Sequence, residues 1–84
     1  MAYAIILSRT AEKELDRLPE KLRQRITGKL LELERNPRPH GVQKLHGHDG
    51  YRIRVGDYRV LYLIEDRRNV VTVVGVGHRR EVYR

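Results

Sequence analysis

The sequence predicts an α+β domain in which an N-terminal strand and a helical hairpin precede a three-stranded antiparallel meander that forms a curved sheet. Two observations support this fold class. Apolar residues recur at helical spacing through the first half of the chain, and the period changes from 3.6 to 2 after residue 50. With 84 residues, the chain is expected to form one domain, residues 1–84, whose core is one layer packed on another.

The first strand is predicted over Tyr3 to Leu7, an apolar run that suits a strand and is too short for a helix. Ser8 or Thr10 can cap the helix that follows. This helix is expected to end near Leu18, because a residue before proline is pushed out of the helical region. Its apolar stripe consists of Ala11, Leu15 and Leu18.

The second helix is predicted from Pro19, which suits a first turn, to Asn36, where Pro37 stops it. Its buried stripe is expected to consist of Leu22, Ile26, Leu30 and Leu33. The two helices should form a hairpin that packs on one face of the sheet.

Residues 37–50 are rich in turn formers and are predicted as a long loop in which Lys44 and Leu45 pair briefly. We expect His46 and His48 to be solvated there, because the further ligands of a metal site are missing. The chain has no cysteine, which excludes disulfides and thiolate zinc sites. We therefore predict no metal. We also predict no cofactor, because a domain of this size cannot house a deep cofactor pocket.

Three strands are predicted after the loop: Tyr51–Val55, Tyr58–Ile64 and Val70–Val76. Gly56-Asp57 suits a two-residue type II′ turn, and Glu65–Asn69 is a polar turn. The last strand is nearly all β-branched, which is typical of a strand that is central in a sheet or buried on both faces.

Counting outward from the turn puts Arg54 opposite Arg59 and Arg52 opposite Leu61. The core face then carries Tyr51, Ile53, Val55, Tyr58, Val60, Tyr62 and Ile64, and the other face carries Arg52, Arg54, Arg59, Leu61 and Leu63. Like charges directly opposite each other cost some tenths of a kcal/mol up to ~1 kcal/mol, so the arginine pair indicates a binding site. The alternative is that both side chains splay into solvent and pair with nearby acids.

The net charge is +7 and the pI is near 10.2, which favours a polyanionic partner over a merely soluble surface. All eight basic residues after residue 49 are arginine, and the same segment contains only four acidic residues. Arginine grips phosphate bidentately and stays charged, so the second half is predicted to face nucleic acid. Since no bilayer-length apolar run or signal segment occurs, we expect a cytoplasmic protein with no membrane partner.

The segment Gly75–Arg84 adds His78, Arg79, Arg80 and Tyr83 at the rim of the same sheet. His78 is either exposed at a strand end or catalytic, and it is a reserve acid or base because its ordinary pKa lies near neutrality. Tyr83 either folds back on the core or stacks on a base.

Three segments together resemble the strand blocks of the RelE/ParE toxin superfamily: Gly50–Val55, Gly56–Tyr62 and Val76–Tyr83. Shorter matches occur at Ser8–Ala11, Leu18-Pro19 and Asn36-Pro37. The resemblance spans nearly the whole chain, and the combination is more specific than any one block.

The resemblance implies a RelE-type toxin of a type II toxin–antitoxin system. Such toxins bind messenger RNA in the ribosomal A site, cleave it and inhibit translation, and a RelB-like antitoxin wraps and neutralises them. Carried over by motif, the site residues would be Arg52, Arg54, Arg59, Arg79 and Tyr83, to which we add Lys44 and Arg80 as RNA-binding residues.

Such cleavage needs no metal if the 2′-hydroxyl next to the scissile phosphate is the nucleophile. The protein then supplies in-line positioning, a base, an acid and cations. We assign Arg59 and Arg79 to the phosphate charge, Arg52 and Arg54 to substrate grip and polarisation of the 2′-hydroxyl, and Tyr83 to stacking or proton transfer. Relatives commonly have lysine at positions 52 and 54, and arginine is a poor general base, so the identity of the base stays open.

Two alternatives remain. A ParE-like toxin of the same fold would inhibit DNA gyrase and cut nothing, but it would not need these arginines and Tyr83 together. An inert RNA-binding or antitoxin-binding module is the other alternative, since fold does not fix function.

Overall fold

The computed structural model describes residues 2–45 and 50–78, and it shows two helices packed on one five-stranded mixed sheet. The elements in chain order are β1 (Ala4–Leu7), α1 (Arg9–Asp16), α2 (Glu20–Arg35), β2 (Gln43–Lys44), β3 (Gly50–Val55), β4 (Tyr58–Glu65) and β5 (Val70–His78). The strands lie in the order β1-β5-β4-β3-β2. The predicted α+β class is confirmed, and β3, β4 and β5 form the predicted antiparallel meander.

The N-terminal strand β1 lies at one edge and pairs in parallel with β5, with Ala4 opposite Val70 and Leu7 opposite Val73. β5 is therefore central between β1 and β4, as its β-branched composition indicates. At the other edge, β2 pairs with β3. The predicted brief pairing of Lys44 and Leu45 lies one residue earlier, at Gln43–Lys44, while the Leu45 amide donates to the Gly50 carbonyl at 2.8 Å.

The helix boundaries differ slightly from those predicted. Ser8 caps α1, since its hydroxyl accepts a hydrogen bond from the Ala11 amide at 3.1 Å. α1 ends at Asp16 rather than near Leu18. Pro19 is the residue before α2 rather than part of its first turn, with an extended ψ of 149°. Asn36 is likewise the capping residue after α2.

The core lies between the helices and the inner face of the sheet. Its buried residues are Ala11, Leu15, Ile26, Leu30, Leu33, Ile53, Val55, Val60, Tyr62, Ile64, Val71, Val73 and Val76. Tyr62 is the largest fully buried side chain, and its hydroxyl donates to the Pro37 carbonyl at 2.8 Å. Burial raises the pKa of Tyr62, so the phenol stays a donor.

The hairpin of β3 and β4 has the predicted register, with Arg54 opposite Arg59 and Arg52 opposite Leu61. Gly56 adopts φ 62°, which fits the first central position of a type II′ turn. The alternation of β3 and β4 therefore places the three arginines on the outer face, away from the helices.

A register shift interrupts the pairing of β4 with β5. Tyr62 lies opposite Val73, and Leu61 lies opposite Gly75, so Val74 is an extra residue in β5. The shift reverses the alternation beyond it and brings Val76 into the core. No helix within the described residues is long and apolar enough to cross a bilayer.

Candidate nucleic-acid interface

Arg52, Arg54 and Arg59 line one groove on the outer face of the sheet. Gly41 and Gln43 complete its lining, and the groove has a volume of about 220 Å³. Arg52 and Arg59 are partly buried, whereas Arg54 is exposed. The hairpin register brings the three side chains together, because Arg54 lies directly across from Arg59 and Arg52 lies two residues back on the same face.

β2 fixes one wall of this groove. Gln43 lies opposite Arg52 in the sheet, and its side-chain oxygen accepts a hydrogen bond from the Arg52 guanidinium. A held guanidinium loses less conformational freedom when it binds phosphate. Sequence reasoning missed Gln43 and Gly41, because the brief pairing predicted at Lys44 and Leu45 did not specify a partner strand; the structure pairs this segment with β3.

The groove is suited to binding phosphate and stabilising its negative charge. Three guanidinium groups line it together with the amide side chain of Gln43. Arginine side chains remain protonated at physiological pH, so they supply positive charge but do not accept a proton. Among the described lining residues no group has an ordinary pKa near neutrality, so none of them is suited to accept a proton.

The structure does not bring His78 to this groove. His78 ends β5 opposite Tyr58, and the two rings form an edge contact with centroids 5.6 Å apart. Tyr58 packs against the core, so this pair lies on the helix-covered face. The His78 side chain lines a different cavity with Glu14 and Arg17.

Lys44 is also separate from the three arginines. It lies opposite Tyr51 in the sheet, whereas its neighbour Gln43 lies opposite Arg52. Because neighbouring residues of a strand point to opposite faces, Lys44 shares the face of Tyr51. It lines a cavity of about 410 Å³ together with Arg38, Asp66 and other residues.

A polar cluster that the sequence did not predict borders this second cavity. The Arg38 guanidinium makes two hydrogen bonds to the Asp66 carboxylate, at 2.9 and 3.2 Å, and a third to the Tyr51 hydroxyl at 3.1 Å. The Tyr3 hydroxyl donates to the same carboxylate at 2.7 Å. Hydrogen bonds from Arg38 and then Tyr3 lower the pKa of Asp66. The cluster joins four parts of the chain and has no local sequence signal.

Three of the predicted site residues, Arg79, Arg80 and Tyr83, lie outside the described residues, as do His46 and His48. The structure therefore groups Arg52, Arg54 and Arg59, and it separates Lys44 and His78 from them.

Comparisons with known proteins give a consistent result. A family profile described as "ParE toxin of type II toxin-antitoxin system, parDE" matches residues 5–83. The mRNA interferase toxin RelE of Escherichia coli is 36% identical over 99% of this chain and 92% of its own length. Toxin RelE of Mycobacterium tuberculosis is 33% identical over 98% of this chain and 87% of its own length.

A solved structure shows the same fold. The archaeal RelE–RelB complex of Pyrococcus horikoshii contains a chain that matches this one with a TM-score of 0.85 and 31% identity. The match covers 98% of this chain and 100% of that chain.

Proposed function

The chain belongs to the RelE/ParE superfamily of type II toxin–antitoxin toxins, and on this premise we propose that it is an endoribonuclease that cleaves messenger RNA and thereby inhibits translation. Curated relatives named as RelE toxins are similar over nearly the whole chain, and one of them is named an mRNA interferase. The proposal therefore favours the RelE activity over the gyrase inhibition of ParE.

One structural observation carries the proposal. The groove on the outer face holds Arg52, Arg54 and Arg59 together, and Arg54 lies across from Arg59 despite the repulsion between them. A fold that keeps like charges opposite each other gains most when an anion lies between them. The phosphate of a nucleic acid is such an anion, and arginine binds it bidentately.

The proposed reaction is a transesterification. The 2′-hydroxyl attacks the adjacent phosphorus, the bond from phosphorus to the 5′-oxygen breaks, and the products carry a 2′,3′-cyclic phosphate and a 5′-hydroxyl. Arg59, together with Arg79, stabilises the charge on the phosphate in the transition state. Arg52 and Arg54 hold the substrate and polarise the 2′-hydroxyl, and Tyr83 stacks on a base or transfers a proton.

Two partners follow from the proposal. The substrate is messenger RNA in the ribosomal A site, so the protein acts in the cytoplasm, where translation occurs. The second partner is a RelB-like antitoxin, supported by the Pyrococcus horikoshii relative, whose structure is a complex of RelE with RelB.

The proposal is tested by inducing the protein in cells and mapping the 5′ ends of a reporter message by primer extension. New cuts that appear only when the message is translated are the expected result. A reporter without a start codon is the matched control. Growth arrest without cuts would contradict the proposal and favour gyrase inhibition, and the absence of both effects would favour an inert binding module.

A further inference from the structure

A second groove meets the arginine groove at Arg54. It lies between α2 and the turn that joins β3 to β4, and its volume is about 320 Å³. The lining residues are Gln24, Arg25, Gly28, Lys29, Glu32, Arg54, Val55 and Gly56. Arg54 lines both grooves, so the outer-face groove and this helix–turn groove adjoin at its side chain, next to the tip of the hairpin.

The helix–turn groove is basic. Arg25, Lys29 and Arg54 contribute three positive charges against the single carboxylate of Glu32. Lys29 contacts Glu32 at 3.3 Å, but the Glu32 side chain is 64% exposed, so the ion pair is screened and weak. An incoming phosphate can therefore compete for Lys29 at little cost.

Two glycines, Gly28 and Gly56, belong to the lining of this groove. Gly28 lies in the middle of α2, where glycine costs roughly 1 kcal/mol relative to alanine. A Cβ at Gly28 would meet nothing within 4 Å, so close packing does not require the glycine. A Cβ at Gly56 would lie 3.5 Å from the Arg25 guanidinium, an ordinary contact distance, so the guanidinium lies next to the turn and the glycine is needed for its positive φ of 62°.

From this adjacency and charge we infer that the helix–turn groove binds the sugar–phosphate backbone of the same RNA strand, several nucleotides from the phosphate held by the outer-face groove. The inference rests on the proposed function. RNA fits better than an acidic protein segment, because the groove adjoins a site for phosphate at Arg54, and Arg25 and Lys29 add two cations one helical turn apart on α2. The described lining of the groove includes no aromatic side chain for base stacking, so the interaction is with the backbone and is independent of sequence.

The test uses Arg25→Ala and Lys29→Ala, with Lys21→Ala as the matched control. Lys21 is an exposed cation of α2 that does not line the groove, so its removal changes the net charge equally. Binding is measured by fluorescence anisotropy across a salt series, with a 12-nucleotide and a 4-nucleotide RNA that carry 2′-O-methyl groups and resist cleavage. Thermal unfolding of each variant checks the fold.

We expect Arg25→Ala and Lys29→Ala to weaken binding of the 12-nucleotide RNA and to leave the 4-nucleotide RNA unaffected. The slope of log Kd against log salt should fall by about 0.7 for each phosphate that the variant no longer neutralises. The Lys21→Ala variant should bind like the parent protein.

Two results would overturn the inference: parental RNA binding by both groove variants, or an equal weakening of RNA binding in Lys21→Ala. Cleavage is scored separately on translated message. If the parent protein cuts message and the variants bind RNA normally, the groove assignment fails while the function stands. If the variants lose RNA binding and the parent protein cuts no message, the proposed function fails, but the assignment of the helix–turn groove to RNA binding is retained.

Discussion

A side-chain oxygen of Glu14, Oε1, accepts a hydrogen bond from the backbone amide of Val76 at 2.8 Å, just beyond the extra residue in β5. The parallel partner of β5 ends at Leu7, opposite Val73, and the Ser8 amide then donates to the Val73 carbonyl. Because β1 ends before it reaches Val76, no backbone carbonyl of β1 accepts from the Val76 amide, and the Glu14 side chain accepts this hydrogen bond instead. It joins α1 to the end of β5, where Val76 is buried.

We predict that Glu14→Ala lowers the free energy of unfolding by about 1–3 kcal/mol, because it leaves the partly buried Val76 amide without its acceptor. Glu14→Gln should retain most of the stability, since an amide oxygen accepts the same bond. Urea unfolding measures the difference. Asp16→Ala, an exposed acid in α1, is the control and should change stability by no more than about 0.5 kcal/mol. Equal destabilisation by Glu14→Ala and Asp16→Ala would show that the Glu14 hydrogen bond does not stabilise the fold.

Replacing Arg54 should increase stability and reduce function. Arg54→Gln relieves the repulsion with Arg59 directly across the hairpin, so the free protein should gain some tenths of a kcal/mol up to ~1 kcal/mol. Cleavage of translated message should fall, because the groove loses a cation that grips phosphate. Thermal unfolding and primer extension report the two effects. The control is Arg67→Gln, because Arg67 is exposed in the turn after β4. This substitution should change neither the stability nor the cleavage. A stable Arg54→Gln variant with parental cleavage would remove Arg54 from the site.

The cluster around Asp66 should make stability depend on pH in the acidic range. Hydrogen bonds from Arg38 and Tyr3 lower the pKa of Asp66, so folding favours the ionised carboxylate. The resulting stabilisation is present above the ordinary carboxyl pKa of about 4 and is lost as pH falls through the lower pKa of the folded state. Asp66→Asn should therefore lower Tm modestly at pH 7 and have little effect near pH 2. A Tm difference that is constant with pH would contradict this assignment.

His78 should not act as the acid or base. Its ring contacts Tyr58 on the helix-covered face, whereas the arginine groove lies on the opposite face. We predict that His78→Gln leaves the rate of cleavage within about threefold of the parent protein and does not change its pH profile between 6 and 8, where an ordinary histidine titrates. Single-turnover cleavage at several pH values measures this. A His78→Gln variant whose cleavage rate no longer changes with pH would restore His78 as a catalytic candidate.

Local patterns predicted the hairpin and its arginines well. A two-residue turn at Gly56-Asp57 fixes the register, so the sequence alone placed Arg54 opposite Arg59, and strand alternation put both on the outer face. The helical stripe of Ile26 and Leu30 likewise predicted the buried face of α2.

The extra residue in β5 could not be predicted in this way. Val70–Val76 is apolar at nearly every position, so it carries no alternation that would reveal a bulge at Val74. Unbroken alternation from the buried Val73 would put His78 on the outer face, and the extra residue moves it to the inner face. The Arg38–Asp66 contact joins residues 28 apart and depends on the tertiary fold, so no local pattern marks it.

The most direct test of the proposed reaction is cleavage of a defined message on purified, programmed ribosomes, with the end groups of the products analysed. Attack by the 2′-hydroxyl predicts a cut that leaves a 2′,3′-cyclic phosphate and a 5′-hydroxyl, and that is abolished by a single 2′-deoxy substitution at the cleaved nucleotide. Arg59→Ala should lose most of this cleavage while it remains folded. An intact message with the parent protein, or cleavage that persists at the 2′-deoxy position, would contradict the proposed transesterification.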